Sequence, residues 1–158
     1  MKERWIDNAI LGKLQEMQKI YHELKSHGLL GELKNWKDSY GDTALMKASR
    51  HGHHKICKWL VAENLVDENA KNIFGWNALH LAVEHKRPEI AQLLLKETSI
   101  DINQKTNDGY TALRLASTTS TILCTTRRTA LSLKWKSEFE RILDLEIYFR
   151  KNIGKSTN

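Results

Sequence analysis

Apolar residues along this chain fall at helical spacing in several separate runs, each bounded by glycine or by a polar turn. The first run sets Ile6, Ile10, Leu14, Met17, Tyr21 and Leu24 on one face, and Gly28 and Gly31 close it. This spacing predicts one or two helices within 1–37. Two later runs resemble each other: Ile56, Trp59 and Leu60, then Ile90, Leu93 and Leu94. Each follows a shorter segment built on small residues, so a short helix leading into a longer one is expected twice. A last run, Trp135, Phe139, Ile142 and Phe149, predicts a long helix within 129–151. Between them, Ser117 to Thr129 is rich in serine and threonine and poor in helix formers. It reads as a loop or a frayed second helix, open to phosphorylation but more simply solvated. Residues 152–158 read as a disordered tail.

The runs repeat in register. Gly41-Asp42-Thr43-Ala44-Leu45-Met46-Lys47-Ala48 returns as Gly75-Trp76-Asn77-Ala78-Leu79-His80-Leu81-Ala82 and as Gly109-Tyr110-Thr111-Ala112-Leu113-Arg114-Leu115-Ala116, with a spacing of 34. Ile56, Leu60, Asp67 and Asn69 recur at the same interval as Ile90, Leu94, Asp101 and Asn103. Gly41, Gly75 and Gly109 suit a turn that side chains resist. Thr43, Asn77 and Thr111 suit helix N-caps. Ala48, Ala82 and Ala116 let neighbouring helices pack closely, and Pro88 falls where a second helix begins. Each such unit leaves an apolar face bare until another stacks on it.

The pattern resembles the ankyrin repeat. In the first copy Asp38, Gly41, Thr43, Leu45, Ala48, Gly52, His53, Ile56, Leu60, Asp67, Asn69 and Ala70 fit its consensus. In the second, Gly75, Leu79, His80, Ala82, Ile90, Leu93, Leu94, Asp101 and Asn103 fit; in the third, Gly109, Thr111, Leu113 and Ala116. The resemblance implies an all-α solenoid of helix-turn-helix units with β-turn fingers, flanked by N- and C-terminal capping helices. It divides a single domain, 1–158, into a cap or degenerate repeat (1–37), repeats at 38–71 and 72–105, a partial repeat (106–128) and a C-terminal helix or degenerate repeat (129–151). Three departures stand out. Ala44, Ala78 and Ala112 replace the family's usual proline. His80 alone keeps the histidine expected to bond to the next repeat, Met46 and Arg114 standing elsewhere. The period is 34 where the family has 33, which suggests an extra residue near the end of the second helix.

Composition narrows the function. The charged residues make up 28% and the hydrophobic set 41%, ordinary values for a globular protein. No stretch approaches the roughly 18 apolar residues of a membrane span. A charged N-terminus, two cysteines (Cys57 and Cys124) and no Asn-x-Ser/Thr acceptor suggest an intracellular, cytoplasmic setting. The net charge of +6 gathers at the end of the chain. Residues 39–120 hold ten basic against nine acidic groups, whereas 121–158 hold eight against four. A nucleic-acid reader more often has a basic stripe on its working face. Binding nucleic acid or a membrane surface through the basic C-terminal segment is therefore a secondary alternative.

Candidate chemistry is sparse. His51, His53 and His54 lie near Cys57, a grouping that invites a metal or Cys–His enzyme reading. Yet no acidic or further thiol ligand supports it, and Cys57 stands where the repeat has a small apolar residue. Gly154-Lys155-Ser156 imitates a phosphate loop but lacks the glycine five residues earlier, where Phe149 stands. The reading is a non-enzymatic chain without cofactor or metal, a monomer on its own. By resemblance it binds another protein as an adaptor, inhibitor or host-directed effector. The finger positions Tyr40, Asp42, Ile73, Phe74, Trp76, Asn107, Asp108 and Tyr110 are the candidate contacts. Arg50, His51, Glu84 and His85, at the ends of the first helices, join them. Aromatic tips favour recognition because they offer large area at low rotamer entropy, and Trp76, mid-stack, is the expected centre.

Overall fold

A computed structural model describes residues 1–116, together with Ser137 and Arg141. The readings for 117–129, 129–151 and 152–158, Cys124 and the basic C-terminal segment lie outside the described residues, apart from those two. Ser137 and Arg141 are each helical.

Within residues 1–97 of the described chain, six α-helices pair off. Helices α1 (Lys2–Leu11) and α2 (Leu14–Ser26) form the first pair, followed by a 3₁₀ turn over Leu30–Asn35. Helices α3 (Ala44–His51) and α4 (His54–Ala62) form the second. Helices α5 (Ala78–Glu84) and α6 (Pro88–Glu97) form the third, and the chain is helical again over 112–116. Among the described residues there is no strand, only an isolated bridge between Lys37 and Thr43.

Each pair is closed by one left-handed residue. Gly52 ends α3 at φ 85°, and the N–H groups of Gly52 and His53 both return to the Ala48 carbonyl. Lys86 holds the matching place in the third pair at φ 54°. Gly12 does so in the first pair at φ 74°. The apolar spacing from Ile6 to Leu24 allows one helix or two, and the structure makes two, parted at Gly12. A β-carbon at Gly12 would lie 2.7 Å from Cε1 of His53, whose ring reaches the Ile10 carbonyl at 2.7 Å. The N-terminal segment is thus built as a helix pair like its neighbours.

Stacking follows from the small residues. Helix α1 packs on α3 and α3 on α5, while α4 packs on α6. Ala48, Ala82 and Ala116 are fully buried, and Leu45, Leu79, Ile56, Leu60, Ile90 and Leu94 fill the space between units. Trp5 sits at the centre of an aromatic group with Trp36 (6.4 Å) and Trp59 (5.9 Å), and Tyr21 meets Trp59 at 5.7 Å. Those rings fasten the first pair to the rest.

The expected caps form. Thr43 Oγ1 accepts the Met46 N–H at 3.3 Å, Asn77 Oδ1 the His80 N–H at 2.9 Å, and Thr111 Oγ1 the Arg114 N–H at 3.3 Å. Pro88 opens α6. Helices α4 and α6 end differently. After α4, Asn64 adopts φ 52° in place of a glycine, and the Leu65 N–H closes on the Leu60 carbonyl. After α6, Thr98 is extended and its hydroxyl donates to the Leu94 carbonyl.

Candidate protein-interaction surface

Each finger is a turn braced by the residue that opens it. Asp38 Oδ1 accepts the N–H groups of Tyr40 (2.9 Å) and Asp42 (2.8 Å). Asn72 Oδ1 accepts those of Phe74 (3.0 Å) and Trp76 (2.9 Å), and Thr106 Oγ1 that of Tyr110 (3.1 Å). Gly41, Gly75 and Gly109 complete the turns at φ 76°, 77° and 80°. The fingers are laced side by side through the main chain. The Ile73 N–H donates to the Tyr40 carbonyl and the Asn107 N–H to the Phe74 carbonyl, each at 3.0 Å. Asn107 Nδ2 adds a bond to the Ile73 carbonyl at 2.9 Å. At Gly75 the lacing is so close that a β-carbon would stand 2.7 Å from the Asn107 nitrogen.

Lacing through the backbone leaves the tip side chains outside. Tyr40, Ile73 and Phe74 are 56%, 58% and 52% exposed. Asn107 and Asp108 are exposed beside them. Three large apolar side chains thus share one ridge across two fingers, the kind of patch that monomers seldom leave uncovered.

Three of the expected tips face elsewhere. Asp42 is only 1% exposed: its carboxylate pairs with Lys47 at 2.8 Å and accepts from Asn72 Nδ2 at 2.8 Å. Lys47 also reaches Asp38 at 2.7 Å. Burial works against the Lys47 charge, but the two carboxylates outweigh it and hold its pKa above the ordinary lysine value. Burial likewise opposes the Asp38 charge, and Lys47 with the Asp42 and Tyr40 N–H groups holds it below the ordinary carboxylate value. Asp42 is therefore a structural group that fixes the first finger to α3. Trp76, expected at the centre, is half-buried against the core, its ring 6.2 Å from that of His80. Tyr110 is also half-buried, with the Arg114 guanidinium 4.9 Å over its ring. The centre of the exposed ridge is Phe74 with Ile73.

His80 does bond to the next unit. Its Nε2 donates to the Gln104 carbonyl at 3.0 Å, and its Nδ1 accepts the Asn77 N–H at 3.3 Å. Its Nδ1 also stands 2.6 Å from Asn77 Oδ1, and burial holds the ring's pKa below the ordinary imidazole value. Lys37 and Lys71 extend the same register: each Nζ reaches the carbonyl of the lysine 34 positions on, Lys71 and Lys105, at 3.4 Å. That lysine period was present in the sequence and was the missed signal.

At the far end of the first helices, Arg50 and Glu84 are half-buried while His51 and His85 are exposed. Arg87, which sequence reasoning passed over, lies across Gly52 and its Nε donates to the Arg50 carbonyl at 3.4 Å. His51 stacks on His53 at 6.3 Å. Cys57 is fully buried; its Sγ meets Ser49 Oγ at 3.7 Å, and burial pushes the thiol up to about 12. A thiol so placed is a core side chain, not half of a Cys–His pair. Among the described residues no group of three His, Cys, Asp or Glu could hold a metal ion, and no helix is long and apolar enough to cross a membrane.

The sequence matches the family described as ankyrin repeats (3 copies) over residues 17–106 and 64–125, together more than half of the chain. No curated protein sequence matches it. Among solved structures, a chain from the crystal structure of the yeast ribosomal protein Rps3 in complex with its chaperone Yar1 is similar, with a TM-score of 0.72. It is 21% identical, and the alignment covers 89% of this chain and 91% of that one. At that identity the likeness concerns the fold. With stacked helix pairs, laced fingers and a family match in the same register, this chain belongs to the ankyrin-repeat family.

Proposed function

We propose that the protein is a non-enzymatic interaction module that grips a partner protein with its fingers and the adjoining first helices. The observation that carries this reading is the ridge of Tyr40, Ile73 and Phe74, each more than half exposed on fingers held rigid by backbone bonds. A rigid turn loses little entropy on binding, and aromatic side chains contribute most at such sites. The structure of Rps3 with its chaperone Yar1 supports the reading by analogy, since a chain of similar fold there belongs to a protein complex. An intracellular setting and an adaptor, inhibitor or effector role belong to the same proposal.

The test compares wild type with an Ile73→Ser/Phe74→Ser variant. Because both side chains are largely exposed, the variant should melt within about 0.5 kcal/mol of wild type. A partner isolated with the wild-type chain should lose about 2 kcal/mol or more of affinity. A partner that binds the variant as tightly would overturn the proposal.

A further inference from the structure

We infer that Arg50, His51, His85 and Arg87 form a docking site for a carboxylate-rich segment of a partner protein, at the opposite end of the first helices from the fingers. The inference rests on the reading of the chain as an interaction module and names the chemistry that one part of its surface selects.

The four side chains come from three places in the stack. Arg50 and His51 end α3, His85 caps α5, and Arg87 precedes α6. Arg87 brings them together by crossing Gly52 to the Arg50 carbonyl. None is ion-paired with a carboxylate among the described residues. Arg50 Nε is buried and has no hydrogen-bond partner among the described residues. Arg87 also lines a cleft of about 590 Å³ with Lys86 and His54. Among the described residues, therefore, no carboxylate pairs with the positive charge at this end.

The histidines report the same field. His51 is held below the ordinary imidazole value by partial burial and then by His53, Arg50, Lys47 and Arg87. His85 is held down by burial and then by Arg50, Arg87 and His51. The acidic neighbours are Glu84, which precedes His85, and Glu89, which shares the cleft wall. An arriving carboxylate reverses the repulsion and favours the protonated rings, so binding tightens as pH falls through the imidazole range. The patch is compact and flanked by those two glutamates. A nucleic-acid backbone would call for a basic stripe running on across the units. Helix α3 has eight residues, so this end lies about 12 Å from the finger end, at 1.5 Å per residue. A partner using both sites presents an apolar group and acidic side chains at that separation.

The helix dipole gives a competing account, because cations at a helix C-terminus are favourable without any partner. The experiment separates the two. A fluorescein-labelled octaglutamate is titrated into the full chain at low salt, at pH 7.5 and pH 5.5, beside single-stranded DNA of equal charge. The peptide should bind several-fold tighter at pH 5.5. Arg50→Gln/Arg87→Gln should lose roughly ten-fold at both pH values, while His51→Gln/His85→Gln should match wild type at pH 7.5 and lose the pH dependence. Ile73→Ser/Phe74→Ser should bind the peptide normally, so failure here is distinct from failure of the finger reading. Unchanged peptide binding by the arginine variant would overturn the inference. So would a pH dependence that survives loss of both histidines, or DNA binding that is tighter than peptide binding and abolished by the same arginine changes.

Discussion

Replacing His80 with alanine tests whether one imidazole holds two repeats together. The ring is 1% exposed and makes two bonds in opposite directions, to the Asn77 N–H within its own turn and to the Gln104 carbonyl in the next. Removing it leaves the Asn77 N–H without a partner, and Asn77 itself is fully buried. An orphaned buried donor costs about 1–3 kcal/mol. That donor is the His80 half of the capping box, whose other half, the residue-80 N–H to Asn77 Oδ1, survives, and the lost inter-repeat bond adds about 1 kcal/mol. The expected total is about 3 kcal/mol. For a chain of this size that is a fall in Tm of roughly 6–12 °C. Urea unfolding followed by circular dichroism measures it, with an unchanged denaturant slope showing that folded compactness is kept. Asn77→Ala removes the other half of the same box, so the double variant should be less destabilised than the sum of the singles by about 1 kcal/mol. A His80→Ala cost below about 1 kcal/mol, or strict additivity with Asn77→Ala, would refute the reasoning.

Four further outcomes follow from the same contacts. Gly75→Ala should cost at least about 2 kcal/mol, because its β-carbon meets the Asn107 backbone, whereas Gly109→Ala, with open space and the same φ sign, should cost about 1 kcal/mol; equal melting of the two would contradict the lacing. Lys47→Met should cost about 3–5 kcal/mol by leaving the buried Asp42 carboxylate unpaired, and Asp42→Asn in the same chain should recover part of it. In a Cys124→Ser background, Cys57 should resist thiol reagents at pH 8 until the chain unfolds, since its thiol titrates near 12; rapid labelling of folded protein would place it elsewhere. His51, His80 and His85 all sit below the ordinary imidazole value, so the unfolded chain takes up protons first. Stability is then fully present above about pH 6.5 and falls on acidification toward pH 5, and a Tm flat across that window would be inconsistent.

The repeat register was legible because the turn glycines, the capping side chains and the small buried alanines each have one local job. Local jobs leave local patterns. The candidate surface was only half legible. Asp42 occupies a finger position in the alignment, and what buries it is Lys47, five residues on, and Asn72, thirty residues on. No local rule reports a partner at that distance. Trp76 was expected outside because the repeat does not require a ring there, but His80 offers it a face to lie against. Arg87 was missed since its place before α6 says nothing of the neighbouring unit that its side chain crosses. The apolar spacing left one helix or two open in 1–37, because the ring packed against Gly12, where the two part, belongs to His53 in another helix pair.

At positions 40, 73 and 74 the fingers join through main-chain atoms, which any side chain but proline permits, while the side-chain links between fingers belong to Asp42, Asn72 and Asn107. Positions 40, 73 and 74 can therefore change identity with small effect on folding. Specificity and architecture are written in separate atoms at this edge. A new target could be acquired by altering a few codons, with the stacked helices beneath left as they are.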